Sequence, residues 1–139
     1  MTPKRFREVE TLVLLAIAAA ALPSSIWMLT WPHSWYQSFP GHIPDFGDFN
    51  VHFVRDLGSL YFTWSVACIW AAWSLPVRFP VVAVTALFFC AHAVVHVFDT
   101  LRGYVHMEHF LLDFPFTYLP AILLIWVLYS SWPKRDKPL

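Results

Sequence analysis

Ala91-His92-Ala93-Val94-Val95-His96-Val97-Phe98-Asp99 closes an uncharged apolar run that begins at Phe79. On a helix His92, His96 and Asp99 stand at i, i+4 and i+7, and 3.6 residues per turn returns all three to one face. Ionisable groups in an apolar helix of membrane length are costly, and they face a cavity, a partner or a metal. The stretch therefore carries two expectations at once, a membrane span and a polar site at its end.

Composition extends the first expectation to the whole chain. Of 139 residues, 58% are hydrophobic, 19% aromatic and only 13% charged, too little charge for the surface of a soluble domain of this size. Uncharged runs at Thr11–Trp31, Leu57–Leu75, Phe79–Phe98 and Phe114–Trp132 each approach the ~20 residues that cross a bilayer core. The expected fold is all-α, a polytopic four-helix membrane bundle forming one transmembrane domain over residues 1–139. Its spans fall at about 11–31, 53–75, 79–99 and 113–132. The first run is too long for a signal peptide and lacks a small-residue cleavage site, so it reads as a retained span.

The zero net charge hides an asymmetry. With four spans, Lys4, Arg5, Arg7, Arg78, Lys134, Arg135 and Lys137 fall on one side and only Arg55 and Arg102 on the other. The positive-inside rule then places both termini in the cytoplasm. The opposite side holds Asp45, Asp48, Asp56, Asp99, Glu108, Asp113 and all seven histidines. Cys68 and Cys90 lie in spans without a CxxC spacing and read as small buried core residues.

Between the spans, residues 32–50 carry the breakers Pro32, Pro40, Gly41, Pro44 and Gly47 together with Trp35, Tyr36, Phe39, Phe46 and Phe49. So many aromatics predict a folded cap over the bundle, not a solvated tether. Asn50 suits the N-cap of the next helix, and Gly58 and Ser59 permit a close helix approach. Trp27, Trp31 and Trp35 suit a headgroup interface. Pro76–Phe79 reads as a cytoplasmic turn, with Pro80 in the first turn of the third span. His106, His109 and Asp113, at i, i+3 and i+7, would form a second polar stripe if helical. Glycine-rich phosphate loops and nucleophile motifs are lacking, and no nucleic-acid partner is expected.

Antiparallel spans bring these groups to one level of the bilayer. The expected metal ligands are His52, Asp56, His92, His96, His106 and His109. Arg55, Asp99, Glu108 and Asp113 stand behind them to orient the ligands. Imidazole with carboxylate suits Fe, Zn, Mn or Cu(II). A haem b between opposed imidazoles is a less economical form, because it leaves the carboxylates without a role. The competing expectation is a buried polar network in which Arg55 pairs with Asp56 and Arg102 with Asp99.

Three segments carry a resemblance: Phe39-Pro40-Gly41, Asn50-Val51-His52-Phe53-Val54-Arg55-Asp56-Leu57-Gly58, and His92-Ala93-Val94-Val95-His96. Together they resemble a group of small four-span bacterial membrane proteins labelled DoxX-like. Val51 stands where that group has Glu, and Asp99 near where it has a third His. The resemblance implies a bacterial inner membrane and that His52, Arg55, Asp56, His92 and His96 act as a set, and it supplies no reaction.

The leading expectation is thus metal-dependent redox or oxygenase-type chemistry, a membrane oxidoreductase acting on a lipophilic small molecule that enters from the lipid bilayer. A homo-oligomer or a larger membrane complex is compatible with it. The alternative is a non-enzymatic subunit or pH-responsive binding module whose polar cluster is a structural or docking network.

Overall fold

The computed structural model describes residues 3–132, and all regular structure among them is helical. The order is α1 (Pro3–Thr30), α2 (Pro32–Ser38), a 3-10 turn (Ile43–Phe46), α3 (Val51–Trp73), α4 (Leu75–Leu101), α5 (His109–Leu112), a π turn (Phe114–Tyr118) and α6 (Leu119–Ser130). The four-span membrane bundle is not what these elements make. Two helices, Lys4–Thr30 and Leu75–Leu101, are long and apolar enough to cross a membrane. α3 has the length but not the apolarity, since His52, Arg55 and Asp56 occupy its first turns and Ser, Thr, Tyr and Gly dilute the rest. The last apolar stretch, Phe114–Ser130, is short and begins as a π turn.

The bacterial inner-membrane assignment, with its lipid-bilayer partner and cytoplasmic termini, rested on counting four spans and falls with that count. Lys134, Arg135 and Lys137 lie outside the described residues. Trp35, expected at a headgroup interface, is instead buried and donates from Nε1 to Ser24 Oγ at 2.9 Å. Val84, Leu87, Val94 and Leu101 on α4 and Trp70 and Trp73 on α3 point outward and are mostly exposed.

The core lies between α1, α3, α4 and α6, where Leu14, Cys68, Ala71, Val82, Leu124 and Val127 are almost wholly enclosed. Burial pushes the Cys68 thiol up to about 11, so it behaves as a small apolar filler, as its place in an apolar run suggested. α1 and α3 approach closely because Gly58 has no side chain. A Cβ there would lie 2.8 Å from Met28 Cβ and 3.3 Å from the Ser25 carbonyl oxygen. Asn50 caps α3 as expected, its Oδ1 accepting from the His52 and Phe53 amides at 3.0 and 3.1 Å.

At the far end from the cap, the expected turn at Pro76–Phe79 is helix. Ser74 alone separates α3 from α4, and Pro76 sits where a missing N–H costs nothing. Arg78 is therefore no surface charge. It is 3% exposed and folds back across three helices. Its Nη1 donates to Glu10 Oε2 at 2.8 Å, its Nη2 to Thr11 Oγ1 at 2.8 Å and to the Ala72 carbonyl at 2.7 Å, and its Nε to the Ala71 carbonyl at 3.0 Å. The guanidinium thus satisfies the last carbonyls of α3 while neutralising a carboxylate on α1.

Removing one partner of such a pair strands the other charge in the core. Arg78→Met should destabilise the fold by about 3–5 kcal/mol in denaturant unfolding, and adding Glu10→Leu should recover most of the loss. A single-variant cost under about 1 kcal/mol would show that water reaches the pair.

Candidate functional site

At the opposite end four side chains from three separate segments form one chain of hydrogen bonds. Asp45 comes from the 3-10 turn of the cap, His109 from α5, Asp113 from the residue after α5, and His96 from α4. His109 Nε2 lies 3.1 Å from Asp45 Oδ2, and its Nδ1 lies 3.4 Å from Asp113 Oδ1. The other oxygen of Asp113 is 2.7 Å from His96 Nδ1. The His109 side chain is fully buried and Asp113 is 4% exposed, whereas Asp45 reaches the surface.

A neutral imidazole has one N–H and one lone pair, so it can donate to only one of two flanking carboxylates. Asp113 Oδ2 also engages His96 Nδ1, and Nε2 of His96 has no carboxylate partner among the described residues.

Local sequence explains how these groups meet. Gly103, at φ 77°, turns the chain out of α4, and the Tyr104 amide closes that turn on the Asp99 carbonyl at 2.9 Å. A single helical turn then places His109 and Asp113 four residues apart on one face, and Pro115 follows in the π turn. The cap is folded, as its aromatics suggested. Tyr36 donates its hydroxyl proton to the Gly47 carbonyl at 2.6 Å, and Phe39 packs on Phe116 with ring centroids 4.7 Å apart. Phe46, next to Asp45, lies between the rings of His96 and His109 at 4.9 and 4.7 Å.

Beneath the cap lies a cavity of about 560 Å³, walled by α1, the cap, α3, α4 and the π turn. His92, His96, Asp99 and Asp113 are among its polar lining. His92 stacks on Phe88 at 5.5 Å, meets the edge of His96 at 4.5 Å and lies 3.4 Å from the Tyr61 hydroxyl. Burial, and next the neighbouring His96, push His92 down to about 4, with Asp113 pulling the other way. Burial likewise pushes the Tyr61 phenol up to about 12, so it stays protonated and can donate to His92.

The expected metal centre is not assembled. Among the described residues no three His, Cys, Asp or Glu side chains form a group that could hold a metal ion. His109 spends both nitrogens and His96 one nitrogen on carboxylates. His52 and Asp56 pair with each other at 3.3 Å on the surface, 86% and 66% exposed. His106 and Glu108 are exposed and precede the one-turn α5, so the proposed second stripe is broken before His109. The transition-metal and haem readings, and with them the metal-dependent oxidoreductase, fail on this donor geometry. Only part of the seven-histidine set takes part in the network, and the expected arginine pairs do not form either. Arg55 donates to the Leu29 carbonyl at 3.3 Å, and Arg102 lies over the Phe98 ring at 5.8 Å.

Sequence reasoning missed Asp45, Tyr61 and the Glu10–Arg78 pair. Asp45 has no spacing relation to His109, and its only signal was an acidic residue inside an aromatic cap. Compared with family models, curated proteins and solved structures, the chain matches none of them. The resemblance to four-span DoxX-like proteins is likewise unsupported, since two helices, not four, have membrane-span character.

His92 supplies a pH test. Its folded value of about 4 lies below the usual 6.5, so the folded state binds fewer protons than the unfolded one. The stabilisation is full above pH about 6.5 and is lost as pH falls toward about 4. Wild type should lose about 2–3 kcal/mol more than His92→Gln across that window in denaturant unfolding. Parallel pH profiles would mean that His92 is solvated in the folded protein.

Proposed function

We propose that this chain is a binding module, not a catalyst, in which the His–carboxylate chain latches the cap over the cavity. One observation carries the reading: Asp45–His109–Asp113–His96 runs without a break from the cap, through α5, to the wall of the cavity. Its imidazoles and carboxylates are spent on one another, which suits a fastening better than a reaction. Phe46 sits between the two rings of the latch, so opening the cap would move a cavity wall and the network together. A cavity of this size, mostly apolar with a few convergent polar groups, fits the pattern of small-molecule sites.

Asp45→Asn keeps the size of the side chain and removes the charge that His109 pairs with. Amide exchange over the cap, residues 33–49, should accelerate about 10–100-fold, the equivalent of a lost charge-assisted hydrogen bond. The core amides of α1 and α6 should keep their protection. Unchanged exchange in the cap, or an equal rise across the whole chain, would contradict the latch.

A further inference from the structure

We propose that the cavity takes an organic cation, an ammonium group carried on an apolar body. The inference rests on the reading that the cap closes this cavity, and it names what is held there. Three carboxylates, Asp48, Asp99 and Asp113, line the space, and no lysine or arginine does. Asp113 is matched by two imidazoles. Asp99 has no ion-pair partner among the described residues, although it is partly buried and lines the cavity.

Asp99 also lies in the last turn of α4, where the helix carboxyl end already bears partial negative charge. A carboxylate is unfavourable there, and a cation placed beside it relieves both the side chain and the helix end. The walls add a third attraction. Trp35, Tyr36, Phe46, Phe53, Phe88 and Phe116 all line the space, and the faces of such rings attract cations. His96, whose Nε2 has no carboxylate partner among the described residues, lines the same space. An anionic ligand would meet unbalanced carboxylates, and a neutral one would leave Asp99 as it is.

The test uses three probes with one body and three heads: phenylbutylammonium, phenylbutanol and phenylbutanoate, titrated calorimetrically into the purified full chain. The ammonium should bind at least about tenfold more tightly than the alcohol, and the carboxylate most weakly. Asp99→Asn should weaken the ammonium far more than the alcohol and so erase the preference, and Asp99→Glu should retain it. Equal or tighter binding of the alcohol, a preference that survives Asp99→Asn, or no binding of any probe would overturn the proposal. Asp45→Asn separates this inference from the latch. If all three probes weaken in parallel while no cation preference exists in the wild type, the latch stands and the cation assignment is wrong.

Discussion

A fully buried imidazole with a carboxylate against each of its nitrogens constrains everything at this end of the molecule. His109 cannot be satisfied by a single partner, so Asp45 and Asp113 must be delivered from two different segments. Burying those charges costs several kcal/mol per ion unless each is paired and hydrogen-bonded. The chain meets the demand with a one-turn helix that puts His109 and Asp113 on one face, and with a folded cap that brings in Asp45. His96 completes Asp113 from α4, so one network sets the positions of the cap, α5 and α4.

The other end repeats the logic with different chemistry. Arg78 replaces a surface turn with a buried tie among α1, α3 and α4, its guanidinium using both the Glu10 carboxylate and two terminal carbonyls of α3. Between the two ties the interior is small and apolar, with Gly58 allowing α1 and α3 to touch. Apolar packing of this kind is weakly directional. The two polar ties supply the direction, fixing which helix ends meet and leaving the cavity between the cap and the core.

Local features were legible in the sequence, and long-range ones were not. The α3 cap at Asn50, the close approach at Gly58, the folded aromatic cap and the shared face of His92 and His96 follow from neighbours a few residues apart. Reading four membrane spans treated apolar composition as length. It counted Leu57–Leu75 although Ser, Thr, Tyr and Gly dilute that run, and it missed the π turn that shortens the last helix. Arg78 was counted as surface charge because flanking prolines suggested a turn, whereas Pro76 in the first turn of α4 is compatible with helix. The metal centre failed for a related reason. Spacing placed histidines and carboxylates at one level but said nothing of which nitrogen would meet which oxygen, and they pair with one another.

The coupling across the latch tests this account most directly. A double-mutant cycle of Asp45→Asn and His109→Gln, measured by denaturant unfolding, isolates the interaction between the cap and α5 from the cost of each change alone. The account predicts a coupling of about 1.5–3 kcal/mol, the value of a hydrogen bond to a charged group. Additivity within about 0.5 kcal/mol would contradict it, because the cap would then be held by its aromatic packing alone.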